Sequence, residues 1–151
     1  FILDSVELHQ VDPRWLELEI TESAIMENAE AAAAILSELK ALGMTIAIDD
    51  FGTGYSSLSY LKKFDLDTLK IDCSFVHEIT SNADDAAIAV TIINMAKSLG
   101  LSVVAECIET QAQHDFLLRN GCDFGQGYLY HRPLLGADVE KLCLRSAAEV
   151  L

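Results

Sequence analysis

Five short stretches of the chain carry strand periodicity: LELEIT from position 16, TIAIDD from 45, TLKID from 68, SVVAE from 102 and FGQGY from 124. Apolar residues alternate in them or run together, as half-buried or buried strands require. The segments between them are of helix length. ENAEAAAAILSELKALG, 27–43, is acidic at its start, apolar at Ile35, Leu36, Leu39 and Leu42, and stopped by Gly43. DDAAIAVTIINMAKSLG, 84–100, repeats the design, with Lys97 in its last turn and Gly100 after it. Thr110 and Gln113 have capping-box spacing and open a third helix ending near Gly121, and a fourth runs from about Ala137 to the end. Strand and helix in regular alternation predict parallel strands joined by crossover helices, an α/β fold. No linker or low-complexity segment interrupts it.

Because successive side chains of a strand point to opposite faces, each strand divides into two sets. Leu16, Leu18 and Ile20 oppose Glu17, Glu19 and Thr21, and Ile46 and Ile48 oppose Thr45, Ala47 and Asp49. Leu69 and Ile71 oppose Thr68, Lys70 and Asp72, and Val103 and Ala105 oppose Ser102, Val104 and Glu106. If the apolar sets cover the helices, the other faces share an interior. Glu19, Asp49, Lys70 and Glu106 then meet near the carboxyl ends of the strands, where β/α barrel enzymes hold their chemistry. The alternative is four unrelated polar residues at strand exits. Charged side chains are almost never buried unpaired, so a cluster needs compensation, which a pair of metal ions would supply.

Asp49 and Asp50 sharpen the question, since two like charges 4 Å apart repel by about 4 kcal/mol in a protein-like dielectric. One reading is a solvated turn, for which Asp and Gly are ordinary residues. The other is a two-cation site, with one carboxylate bridging both ions and the other reaching the second. Gly52 and Gly54 would then let the backbone turn sharply over the site, with Phe51 and Tyr55 as anchors of the loop.

Composition narrows the classes further. With 151 residues, 51% of them hydrophobic, the chain can bury the core of one domain. Its net charge is −14, and its ten lysines and arginines are dispersed, which argues against duplex nucleic acid; an anionic ligand would need cations to approach. No stretch reaches the ~18 apolar residues of a membrane span, so no membrane contact is expected. FILDSVELHQ has acids where an export signal carries positive charge, so a cytoplasmic location is expected. The cysteines at 73, 107, 122 and 143 show no C-x-x-C pairing and read as free thiols of a reducing compartment. Histidines at 9, 77, 114 and 131 form no zinc pattern, so a metal would be held by oxygen. Asp-Phe-Gly occurs at 50–52 and 123–125, but without a glycine-rich phosphate loop or a His-Arg-Asp segment it does not indicate a kinase.

ELEITES at 17–23, IAIDDFGTGYSSLSYLKKF at 46–64, TLKID at 68–72, VVAECIE at 103–109 and GCDFGQGYL at 121–129 together resemble the EAL-domain family. These are the bacterial cyclic-di-GMP phosphodiesterases and their degenerate relatives. The resemblance spans almost the whole chain and implies an EAL-type β/α (TIM-like) barrel with one antiparallel strand. About five of its eight strands are present, so residues 1–151 are expected to be the C-terminal part of such a domain. The implied activity is hydrolysis of cyclic-di-GMP to linear pGpG with Mg²⁺ or Mn²⁺.

By motif, Glu19 is implied as a ligand of the first metal, Asp49 as the bridge and Asp50 as a ligand of the second. Glu106 is a ligand of the second metal or the general base, and Lys70 contacts the attacking water or the phosphate. Glu22 is implied as the anchor of the loop from Asp50 to Ser56, against the alternative of a helix-start acid. Glu109 and Gln126 support the site from behind, and Phe51, Gly52, Thr53 and Gly54 form the substrate loop. Cys107 stands where the family usually has Gly, Cys73 where it has Arg, and Asp65 where Pro is common.

The chain contains no Glu-Ala-Leu triplet and nothing matching the family's metal-binding asparagine. Alone it is therefore expected to be inactive, and to pair with another copy or with the missing barrel segment. Two other functions compete: a degenerate EAL module that binds the dinucleotide or a protein partner without hydrolysis, and an enolase-type Mg²⁺ barrel with a lysine base.

Overall fold

A computed structural model of the protein describes residues 2–53, 61 and 63–149. Five strands, β1 (Glu17–Thr21), β2 (Thr45–Phe51), β3 (Thr68–Ile71), β4 (Ser102–Ala105) and β5 (Phe124–Gly125), form one sheet in chain order with every pair parallel. The predicted α/β architecture is present, and each strand lies where the alternation placed it.

The helices bounded within the described residues are α1 (Ile2–His9), α2 (Glu22–Glu27), α3 (Ala29–Ala41), α4 (Cys73–His77), α5 (Ala83–Ser98), α6 (Gln111–Arg119) and α7 (Gly136–Glu149), with a 3₁₀ turn at Pro13–Trp15. Three were not predicted: α1, α4 and α2. The helix read over 27–43 begins two residues later because the Asn28 side chain accepts the Ala31 N–H as an N-cap. Ahead of it Thr21 caps a separate helix, α2. The predicted apolar stripe of α3 is also displaced. Ile35 and Leu42 are exposed, and the helix packs on the core through Ala29, Ala32, Ala33, Leu36 and Leu39, whose spacing makes one face.

The apolar strand sets do cover the helices. Ile46, Ile48, Leu69, Ile71, Val103 and Ala105 join Val76, Ala89, Ile92, Ile93, Ala96 and Leu117 in a single buried cluster. On the opposite face the Thr68 hydroxyl donates to Glu17 Oε2 at 2.8 Å. The entries to the strands are tied by carboxylates: Asp67 accepts the Ile46 N–H at 2.7 Å and the Lys40 ammonium at 2.6 Å, and Asp123 accepts the Val103 N–H at 2.9 Å.

Two features bear directly on the site. Pairing of β2 with β3 steps from Ile48 opposite Leu69 to Phe51 opposite Ile71, so three residues of β2 span two of β3. Asp50, at φ 54°, supplies the extra residue of this bulge. The bulge also turns Phe51 inward, where it is buried in the core instead of standing in the expected substrate loop. The second feature corrects the expectation of four free thiols: Cys73 and Cys107, 34 residues apart, are joined by a disulfide with Cα atoms 5.2 Å apart. Cys122 is free and buried, and Cys143 free and exposed.

Candidate active site

Four side chains from four strands or their exits converge at the carboxyl ends of the sheet. The Lys70 ammonium lies 2.8 Å from Glu19 Oε2, 3.1 Å from Asp49 Oδ1 and 2.8 Å from Glu106 Oε1. Lys70 is buried, and Glu19 is the most exposed of its partners. Burial alone would push the ammonium down, but hydrogen bonds to Glu106, Glu19 and Asp49 outweigh it and hold Lys70 above the ordinary lysine range. It is a fixed cation and donor.

One ammonium does not neutralise this group. Carboxylate oxygens of Asp49, Asp50 and Glu106 can all lie within 4.8 Å of one another. The Asp50 carboxyl is pushed above its usual range by burial and by the charges of Asp49 and Asp72, with Lys70 opposing. In a regular strand Asp49 and Asp50 would face opposite sides; the bulge at Asp50 turns both toward one place. Converging carboxylates with excess negative charge suit a hard divalent cation such as Mg²⁺, Mn²⁺ or Ca²⁺.

Asp72 is a contributor that was not singled out from the sequence. Its side chain caps α4 by accepting the Ser74 N–H at 3.0 Å and the Ser74 hydroxyl at 2.5 Å. Burial raises the Asp72 carboxyl, but the Ser74 bonds outweigh it and hold it below the usual range, so it stays anionic beside Asp50. The signal was present in TLKID, where Asp72 shares the polar face with Lys70.

Glu22 is buried, and its Oε2 accepts the Gly52 N–H at 3.1 Å, across 30 residues of chain. This contact ties the start of α2 to the turn after β2, where Gly52 has φ 98°. Thr53 is exposed, and its hydroxyl donates to the Asp50 carbonyl at 2.8 Å; Gly54, Tyr55 and Ser56 lie outside the described residues. Glu22→Ala is expected to accelerate exchange of the Gly52 amide about tenfold, the worth of one hydrogen bond to a charged acceptor. Hydrogen exchange followed by NMR checks this, and an unchanged rate would leave Glu22 as a helix-start acid.

Glu109 and Gln126 are exposed and border, with Glu106, Cys107 and Tyr128, an open cavity of about 450 Å³. Gln126 joins the site through its backbone, which donates to the Ala105 carbonyl and accepts from the Ile108 N–H. Gln113 holds this region from behind. Its Oε1 accepts the Glu109 and Thr110 N–H groups, and its Nε2 donates to the carbonyls of Val76 and His77. The capping box foretold the first half of that arrangement; the link to α4 needed the fold. At Gly127 an added Cβ would sit 2.2 Å from the Ile108 carbonyl oxygen. Gly127→Ala should therefore lower stability by about 2 kcal/mol, an overpacking cost read by denaturant melts; an unchanged midpoint would contradict this packing.

Parallel strands that deliver carboxylates and a buried lysine at their carboxyl ends define an α/β protein with an acidic group able to hold a metal ion. Residues 1–133 match the family described as EAL domain, and the chain belongs to that family. It is 50% identical over 127 residues to the cyclic di-GMP phosphodiesterase NbdA of Pseudomonas aeruginosa. That match covers 84% of this chain and 16% of the relative. With the bifunctional diguanylate cyclase/cyclic di-GMP phosphodiesterase MucR of the same species it shares 49% identity over 126 residues, 83% of this chain and 18% of the relative. The chain thus spans less than a fifth of the length of these proteins. The structure superposes on the PaMucR phosphodiesterase in complex with c-di-GMP with a TM-score of 0.88 and 45% identity, covering 91% of this chain and 56% of that one. Klebsiella pneumoniae BlrP1, solved with manganese and cy-diGMP, matches with a TM-score of 0.80 and 34% identity over 87% of this chain and 34% of that one. Among the described residues, no helix is long and apolar enough to cross a membrane.

Proposed function

We propose that residues 1–151 are part of an EAL domain that hydrolyses one phosphodiester bond of cyclic-di-GMP to linear pGpG with Mg²⁺ or Mn²⁺. The observation that carries this reading is the convergence of Asp49, Asp50 and Glu106 around the buried Lys70. Divalent ions bound there would polarise the phosphate and supply a water of lowered pKa. Asp49 shares the Lys70 ammonium with Glu19 and also groups with Asp50 and Glu106, so it is the carboxylate we assign to both cations. Proximity of Glu106 to both aspartates favours it as a ligand over a free-standing base. Lys70, permanently charged, holds Glu19, Asp49 and Glu106 in register and can donate to a phosphate oxygen. Glu22 holds the turn at Gly52 over the site.

β1 and β5 are the outer strands of the sheet among the described residues, and open edges recruit other strands. We therefore take the active unit to include further strands, from upstream sequence or from a second copy. The test is a product assay on the complete domain that contains this chain. Cyclic-di-GMP with Mg²⁺ should give pGpG, and Ca²⁺, with longer and looser coordination, should bind without supporting turnover. Binding of the dinucleotide with no product under Mg²⁺ or Mn²⁺ would instead establish a binding module.

A further inference from the structure

We propose that Cys73 and Cys107 form a reversible disulfide latch whose redox state sets divalent-cation binding at the neighbouring carboxylates. The inference rests on the proposed metal site for its consequence, though not for the latch itself. Cys73 follows Asp72 at the exit of β3, and Cys107 follows Glu106 at the exit of β4. The bond therefore pins together the two strand ends that carry Lys70, Asp72 and Glu106.

Cys107 also adopts φ 54°, a left-handed conformation that a residue with a Cβ disfavours. The Glu106 N–H to the Ile71 carbonyl and the Ile108 N–H to the Gln126 carbonyl fix its neighbours, and the disulfide is the tie on Cys107 itself. Once reduced, Cys107 is free to leave that conformation, and the Glu106–Cys107 peptide turns with it, moving the Glu106 carboxylate away from Asp49 and Asp50. Both cysteines are half-buried and border an open cavity of about 480 Å³, while Cys107 also borders the cavity that holds Glu106. A small thiol can thus approach the bond through the larger cavity, which Glu78, Asp85 and Glu109 line and which does not include Glu19, Asp49, Asp50 or Glu106.

The step is thiol–disulfide exchange with a low-molecular-weight thiol such as glutathione. One thiolate attacks a sulfur of the pair to give a mixed disulfide, and a second thiol releases it. Two cysteine thiols and one oxidised glutathione result, so two electrons and two protons pass to the protein.

The complete domain that contains this chain is equilibrated with glutathione couples of graded potential, then quenched, alkylated and digested for mass spectrometry. Cys73 and Cys107 should become alkylated together as the potential falls. Reduction should weaken Mn²⁺ binding, read by electron paramagnetic resonance, about tenfold, the bias against a left-handed non-glycine residue. It should also speed hydrogen exchange over residues 104–108. Cys73→Ser should behave as reduced protein under all conditions. Cys107→Gly, which accepts positive φ freely, should bind Mn²⁺ as the oxidised chain does and lose its redox response. Equal Mn²⁺ affinity and equal exchange in oxidised and reduced chains would overturn the latch, as would failure of the two cysteines to pair under oxidising couples. If neither form binds Mn²⁺, the metal reading fails, and exchange over 104–108 alone decides the latch.

Discussion

Asp49→Asn should abolish hydrolysis by the complete domain by at least about two orders of magnitude while leaving its fold unchanged. Asn keeps the shape of Asp and an oxygen able to accept from Lys70 and from the Asp50 N–H, the two contacts Asp49 Oδ1 makes. What it loses is the charge. In the proposed site that charge belongs to the carboxylate assigned to both cations, so a neutral residue there should loosen both at once. Calorimetric titration with Mn²⁺ and the product assay should fall together, with the melting temperature held. Near-normal turnover with Mg²⁺ would remove the two-metal reading.

Lys70→Met should destabilise the fold by about 3 kcal/mol in metal-free buffer, because removing one partner of a buried ionic group leaves the others uncompensated. Met fills a similar volume, so the loss is electrostatic. Glu19, Asp49 and Glu106 all contact the ammonium within 3.1 Å, and Asp50 and Asp72 add to the negative potential. Mg²⁺ or Mn²⁺ should restore part of the stability, since a cation at the same carboxylates replaces the missing charge. Urea melts with chelator and with metal measure both halves, and a variant as stable as the parent in chelator would refute the role given to Lys70. The pH dependence has a definite sign. The folded-state pKa of Lys70 lies above its ordinary value of 10.5, so its contribution is complete below that pH and disappears only as pH rises through the folded value.

Much of this site is readable from period-two alternation. Glu19, Asp49, Lys70 and Glu106 occupy the polar face of their strands in the sequence, and a sheet with helices packed on its apolar face brings them together. The family motifs add the roles. Asp50 differs: alternation alone sends it to the face opposite Asp49, and only the bulge against β3 turns it back. Phe51 shows the same limit from the other side, since the extra residue at Asp50 reverses its direction and carries it into the core.

Local chemistry also limits what could be foreseen in the helices. Asn28 divides what composition presents as one helix, because its side chain competes for the Ala31 amide, and Asp72 starts the short α4 by the same device. Both are single capping contacts, too local to appear in a hydrophobic pattern.

Strand positions, the helix-covered face and the anionic character of the site follow from hydrophobic periodicity and from where acids occur along the chain, because both are properties of near neighbours. The joining of Cys73 to Cys107, the contact of Glu22 with Gly52 and the reach of Gln113 to Val76 and His77 span 30 residues or more. Such pairings arise when register and crossover geometry place distant segments side by side. No local pattern encodes them, so the three-dimensional packing of the chain decides them.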